Sequence, residues 1–287
     1  MRPAGLHCVT DSSVPASSCE LLRAACAARD LPFVSIDAGR FEFDDERELP
    51  PFAMMYRPAV ALAAIRCEQF LIRPDVATFY RDLDALHFDG PAAPLCFQRA
   101  GLTVPRSVQI FSREREPLRR AVQRLGGLPV VLKTGGEGGV GVMRADSWPA
   151  LFSLIDYLRS QGVAPWLQSH IPDAEHWRVV VVGERGVAGY RNDLEPDDFR
   201  STPSDELAAY TLPEPAAVAL AVAAVQVTRR EFGGVDLLRH PAGRWYLLEV
   251  NMPCYYPHAQ EFAGVDIAGA MVEHLHAKAL RLANHQP

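Results

Sequence analysis

The sequence predicts a mixed α/β (α+β) fold built of several lobes, on three observations. The first ninety or so residues alternate short apolar runs with a helical stretch, as a small α/β unit does. Two later segments, 177–193 and 233–251, carry strong hairpin signals. Amphipathic stretches of helical spacing separate and follow them. With 287 residues and 48% hydrophobic content, the chain has enough mass to bury cores for two or three lobes.

In order along the chain, LHCVT (6–10), FVSID (33–37) and AMMYR (53–57) read as strands, and CELLRAACAARD (19–30) as a helix. HFDGPAAP (87–94) breaks the pattern, and LCFQRAGLTVP (95–105) reads as a helix closed by glycine and proline. WPALFSLIDYLRS (148–160) is a helix with Ser147 as N-cap. A helix at 214–232, a hairpin at 235–250 and a last helix at 266–282 follow, the last with Ile267, Ala270, Met271, His274 and Leu275 on one stripe. The expected division is 1–94, 95–190 and 191–287.

Composition narrows the partners. A net charge of -6 with no basic cluster argues against a nucleic-acid surface. No apolar run approaches the ~18 residues of a membrane span, and no basic start leads into an apolar core. Six cysteines without CxxC spacing read as reduced thiols, which fits a cytoplasmic protein. Homo-oligomerisation is left open.

Lys133 is one of two lysines against 27 arginines, and it ends an apolar run just before TGGEGGVGV. A slender, strongly hydrated ammonium at that point suits a phosphate. GEGGVG (136–141) fits the GxGxxG pattern, but a dinucleotide fold needs a helix directly after the glycines and a P-loop needs the lysine after them. Strand, lysine, glycines, strand is the order of a hairpin whose backbone N–H groups close over phosphates. The alternative is a plain surface hairpin with an exposed lysine.

In WRVVVVGERGVAGYRND, a turn at Glu184-Arg185 sets Gly183 opposite Gly186 and Arg178 opposite Arg191. Opposed like charges destabilise a sheet by about 0.2–1 kcal/mol. An anion between them removes that cost, which makes Arg178 and Arg191 candidate catalytic cations; pairing with Glu175 or Asp193 is the alternative. In GGVDLLRHPAGRWYLLEVN, a two- or four-residue loop within 241–244 sets Asp236 opposite Glu249, with Asn251 on the same face and Leu237, Leu248 and Val250 facing the other way. Two carboxylates and an amide oxygen suit Mg²⁺ or Mn²⁺ rather than zinc, and such a metal commonly bridges to substrate phosphates. The alternative is surface pairing with Arg239 and Arg244.

Taken in order, KTGGEGGVGV, QSHI, WRVVVVG, DDFRST, GGVDLL and LLEVN resemble the ATP-grasp superfamily, in its glutamate-ligase-like (RimK-type) branch, over roughly residues 95–275. The resemblance implies three subdomains with ATP held between two antiparallel sheets. It places Lys133, Gly136, Gly138 and Gly139 at the phosphates and Gln168, Ser169, His170 and Ile171 where lid meets adenine. It places Glu175 and His176 at the ribose position, and Arg200, Ser201 and Thr202 beside the nucleotide. Arg178 resembles the branch's arginine near the phosphates; Asp236, Glu249 and Asn251 resemble its magnesium ligands. The implied reaction phosphorylates a carboxylate with ATP, and an amine then attacks the acyl phosphate; an amino acid or peptide is the expected substrate. A nucleotide-binding regulatory protein and a phosphotransferase are the alternatives. No lysine precedes Lys133, so Arg81, His87 or Arg99 would replace the branch's earlier one. The segment Met252–His258 replaces the branch's small-residue continuation and borders the acceptor pocket.

Overall fold

The computed structural model describes residues 4–43, 48–87, 93–135, 140–194, 198–204 and 206–284. Its first unit is a parallel sheet in the order β2-β1-β3, from β1 (Leu6–Thr10), β2 (Phe33–Asp37) and β3 (Met54–Tyr56). Helices α1 (Ala16–Ala27) and α2 (Leu62–Leu71) follow β1 and β3. The chain runs from β1 to one neighbour and returns to the other side, so strand order reverses between β1 and β3.

After α3 (Ala93–Arg99), a four-stranded antiparallel sheet forms in the order β4-β7-β5-β6, from β4 (Ser107–Gln109), β5 (Val130–Lys133), β6 (Val142–Ala145) and β7 (Trp166–Ser169). Helices α4 (Arg115–Leu125) and α5 (Trp148–Ser160) cover it. Ser147 Oγ accepts from the Ala150 amide (3.4 Å), the expected cap, and Leu151, Ile155 and Leu158 bury one stripe against Leu132 and Leu167. Each such side chain contributes about 1.5–3 kcal/mol by leaving water.

The third sheet has the order β10-β9-β8-β11-β12, all antiparallel, from β8 (Glu175–Val182), β9 (Arg185–Leu194), β10 (Ser201–Pro203), β11 (Phe232–Arg239) and β12 (Trp245–Asn251). One face packs on α6 (Pro215–Val227), whose Ala217, Ala221 and Ala224 allow close approach to Val179, Val181, Val235 and Leu247. At Gly186 a Cβ would lie 2.7 Å from Val218 Cγ1, so that strand position takes no side chain. Helices α7 (Pro257–Ala263) and α8 (Ile267–Asn284) close the other side. Ile267, Met271 and Leu275 of the expected stripe are buried in one core with Leu6, Met54 and Phe79 of the first unit and Val180 and Phe232 of the third sheet. The first unit and the third sheet thus share their packing.

The break between the two antiparallel sheets falls at 170–174. The strand pair 175–194, expected with the middle segment up to residue 190, hydrogen-bonds instead to β11 and belongs to the last sheet. Among the described residues no helix is long and apolar enough to cross a membrane.

Candidate active site

Lys133 is the last residue of β5, paired with Val142 of β6 and Trp166 of β7. Thr134 N donates to the Gly141 carbonyl (3.1 Å), so β5 and β6 on either side of the glycine run pair as the expected β-hairpin. Gly136, Gly138 and Gly139 lie outside the described residues. Gly141 takes φ +81, and a Cβ there would sit 2.3 Å from Thr134 Oγ1, so the loop base needs glycine. Burial lowers the His176 pKa on β8 and raises the Glu249 pKa on β12, and the Lys133 charge acts on both groups, with the first shift and against the second. A cation of the four-stranded sheet therefore faces the polar surface of the five-stranded one.

That surface is built by alternation along three strands. Arg178 of β8 stands opposite Asp236 of β11, which stands opposite Glu249 of β12; Gly234 stands opposite Asn251. Side chains directly opposite share a face, so the four polar groups converge. Arg178 grips Asp236 through Nε (2.6 Å to Oδ1) and Nη2 (2.7 Å to Oδ2). The Asp236 charge holds the Arg178 pKa well above its usual value. Asn251 Nδ2 donates to Asp236 Oδ2 (3.1 Å) and Glu249 Oε1 (3.0 Å). Lost hydration and then the Asp236 charge push the Glu249 pKa up, against Lys133 and Asn251. At Gly234 a Cβ would lie 2.9 Å from Cys254 Cβ, so the absent side chain makes room for Cys254 against Arg178. Burial pushes the Cys254 thiol up to about 12, which leaves it protonated at neutral pH and inert as a nucleophile.

The expected opposition of Asp236 and Glu249 is found, by a different route. The loop between β11 and β12 has five residues, since Arg239 pairs with Trp245, and a bulge between Asp236 and Leu237 restores the register. Leu247 rather than Leu248 accordingly joins Leu237 in the core. The pairing of Arg178 with Arg191 is corrected. The turn is centred on Gly183 and Glu184, with Gly183 at φ +62, and a bulge between Val180 and Val181 follows. Arg178 then opposes Tyr190, and Arg191 opposes Trp177 on the other face, 3.9 Å from Asp193. The alternative pairing for Asp236 also fails: its partner is Arg178, and Arg239 binds Glu175 and Glu214.

At the junction of the sheets, His170, Ile171 and His176 line a cleft of 910 Å³ together with Arg144, Asp146 and Phe199. Gln168 is buried in β7 and donates to Ser107 Oγ (3.1 Å); Ser169 ends the strand beside the cleft. His176 Nδ1 and Ser201 Oγ are hydrogen-bonded at 3.0 Å. Arg200 pairs with Asp198 (2.6 Å), itself on the cleft, and Thr202 pairs with Asp193 in the sheet. Glu175, expected beside His176, points to the opposite face, where Trp177 Nε1 and Arg239 Nη1 donate to it. Arg81 opens on a separate cavity near the β8–β9 turn, Arg99 is exposed on α3, and the His87 side chain lies outside the described residues. Arg144 and Asp146, ion-paired at 2.6 Å, carry no signal in the sequence, because surface-type residues at a strand end have no pattern that separates a cleft from solvent.

Burial holds His7, His170 and His176 below the ordinary imidazole value of 6.5. The unfolded chain therefore binds more protons just below that pH, and stability contributed by the neutral rings is lost as pH falls. Urea titrations at pH 7.0 and 5.5 are expected to give a lower midpoint at 5.5; an unchanged midpoint in a variant lacking all three rings would confirm the source.

Two carboxylates and an amide form a hard-oxygen donor set that fits Mg²⁺ or Mn²⁺, and the neighbouring Cys254 thiol, protonated, is no ligand for either. Asn251 already bridges both carboxylates, and a half-turn of its amide presents Oδ1 to the same point.

Comparison with known proteins agrees with this geometry. Residues 95–275 match the RimK-like ATP-grasp domain. A probable alpha-L-glutamate ligase of Serratia proteamaculans is 29% identical over 184 residues, covering 62% of this chain and 59% of that protein. A ribosomal protein bS6–L-glutamate ligase of Salmonella newport is 31% identical over 156 residues, covering 53% and 52%. The chain thus spans about three fifths or less of the length of these relatives. The ATP-grasp ligase PsnB, solved with a minimal precursor, Mg and ADP, superposes with a TM-score of 0.71 over 97% of this chain and 98% of its own, at 17% identity, a likeness of fold. The match at 95–275 encloses both hairpins, the junction between the sheets and each polar group on the facing surfaces, and the chain belongs to the RimK-like ATP-grasp family.

Proposed function

We propose that this protein is an ATP-dependent carboxylate–amine ligase, acting in the cytoplasm on an amino acid or peptide. The observation that carries the reading is the pairing of Asp236 with Glu249 on one sheet, with the Lys133 ammonium of the other sheet acting on Glu249. Triphosphate between them meets a cation from the lid side, and Asp236, Glu249 and Asn251 would hold the metal from the opposite side. When bound, Mg²⁺ or Mn²⁺ supplies charge neutralisation on the transferring phosphoryl group. A substrate carboxylate oxygen attacks the γ-phosphorus and ADP departs, leaving an acyl phosphate. The amine then attacks the acyl carbon, loses a proton and displaces inorganic phosphate to leave an amide.

Each nearby residue has a part that needs no protein nucleophile. Lys133 orients phosphate oxygens. Arg178, fixed by two bonds to Asp236, keeps a guanidinium beside the carboxylate pair. His176, held neutral, offers Nδ1 to Ser201 at the edge of the nucleotide cleft.

Lys133→Ala is expected to weaken ATP binding about 10–100-fold by calorimetry, the loss of a charge-assisted hydrogen bond to phosphate. Unchanged affinity would sink the assignment. The Arg178 grip on Asp236 favours one second reading, a nucleotide-binding protein that does not turn over, because the guanidinium competes with a metal for that carboxylate. ADP release that depends on added amino acids or dipeptides, with a condensed product by mass spectrometry, excludes it; ADP release without a condensed product points to a phosphotransferase.

A further inference from the structure

Arg57 directly follows β3, at the carboxyl end of a strand beside the reversal of strand order in the parallel sheet. Open α/β sheets bind ligands at that place. The residue is 8% exposed. Its Nε donates to Glu68 Oε2 (2.7 Å), its Nη1 donates to the Ala59 carbonyl, and Tyr80 Oη donates to the same Glu68 oxygen (2.9 Å). One buried carboxylate thereby fixes the positions of both groups.

Arg230 reaches the same spot from the other end of the chain, through an antiparallel bridge between Tyr80 and Arg230 just ahead of β11. Arg57, Glu68, Tyr80 and Arg230 line a cavity of 270 Å³, together with Met252 and Pro253. These last two directly follow Asn251, so the cavity adjoins the end of the hairpin that carries the carboxylate pair. Its charged lining is two guanidiniums and one carboxylate, and an oxygen of that carboxylate is already engaged twice. Burial lowers the Arg230 pKa and the Arg57 charge acts in the same direction, against Tyr80 and Glu68, and an anion seated between the two guanidiniums offsets the remaining cost.

We propose that this cavity binds a carboxylate of the amine-bearing substrate, with Arg57 and Arg230 as its ligands and the Met252-Pro253 segment as its wall, and that it selects the acceptor. The inference rests on the ligase reading of the neighbouring site. The bound carboxylate is an anchor and not the group that is phosphorylated, because two guanidiniums engage its lone pairs and withdraw them from attack. The cavity is sized for an amino-acid-like group rather than a nucleotide. Arg57 belongs to the first unit and Met252 to the last, so the pocket exists only because the two pack together.

The test is calorimetric titration of the whole protein, loaded with Mg²⁺ and ADP, with the standard amino acids as free acids and as α-amides. At least one free acid is expected to bind about tenfold or more tightly than its amide, as loss of a charge-assisted pair implies. Arg230→Gln is expected to erase that preference without changing ADP affinity. Arg57→Lys keeps a charge beside Glu68, so the fold holds, and is expected to weaken the acid about tenfold, because a flexible ammonium replaces the guanidinium that Glu68 and Ala59 hold in place. Equal binding of acid and amide, retention of the preference in Arg230→Gln, or no binding of any free acid would overturn the proposal. ADP release without a condensed product would instead remove the ligase reading and leave a preference for acid over amide standing.

Discussion

Glu249→Gln is expected to abolish turnover while the fold persists. Charge neutralisation at a transferring phosphoryl group is worth several kcal/mol, so losing one carboxylate ligand lowers the rate on the order of 10³-fold. The side chain accepts from Asn251 Nδ2 (3.0 Å) and lies within hydrogen-bonding reach of Asp236, and a glutamine accepts the first bond through its oxygen and can donate to Asp236 through its amide. The substitution also relieves the repulsion from Asp236 that helps push the Glu249 pKa up, so stability stays level or rises by about 0.5 kcal/mol. Asp236 offers no such clean variant. Its removal strands the Arg178 guanidinium, and leaving a half-buried charge of that kind without its partner costs about 1–3 kcal/mol. Steady-state ADP release alongside thermal unfolding checks the prediction: near-wild-type turnover in Glu249→Gln removes the metal assignment.

The second large effect belongs to the other lysine. Lys278 on α8 donates to the carbonyls of Thr78 (3.0 Å) and Tyr80 (2.6 Å) and to Glu231 Oε2 (2.6 Å), with 14% of its side chain exposed. One ammonium thus ties the last helix to the end of the first unit and to the start of the third sheet. Burial pushes the Glu231 pKa up, but the bonds from His274 and Lys278 outweigh it and hold the carboxyl below its ordinary value. Lys278→Met keeps the stem's packing and removes all three bonds, leaving two carbonyls and part of a carboxylate unpaired, a loss of about 3 kcal/mol. Urea unfolding measures it. Combining the change with Glu231→Gln is expected to cost less than the two singles added, since both break one network. Additive losses would mean that Lys278 acts only through the carbonyls. The stability owed to Glu231 is present above its unfolded pKa and fades as acid protonates it, so the Lys278→Met deficit is expected to shrink at low pH.

Both lysines are conspicuous in a chain that otherwise uses arginine, and only one could be read from its neighbours. Lys133 is preceded by an apolar strand and followed by glycines, a local arrangement with a local meaning. Lys278 sits in a helical stripe like any other, and its three acceptors come from residues far away in the chain. Arg57 and Arg230 are equally silent in one dimension, because 172 positions of chain separate them and a cavity has no sequence pattern.

The hairpins show where local reading stops. Strand identity, the glycine hairpin and the facing carboxylates follow from alternation and turn residues, which act over a few positions and are written in the order of the chain. Register depends on bulges, and a bulge is chosen by what packs on the sheet. Beneath α6 and α8 the β8–β9 pair absorbs Val187 as an extra residue, and one position of shift sends Arg191 to the far face. In β11–β12 the extra Leu248 offsets a longer loop and leaves Asp236 against Glu249. Amino-acid order therefore specified the elements and most of the residues proposed to meet phosphate and metal, through interactions a few residues long. The packing of three sheets selected which arginine lies against Asp236, which lysine holds the units together and which two arginines share a cavity, because those outcomes are contacts between segments that are remote until the chain is folded.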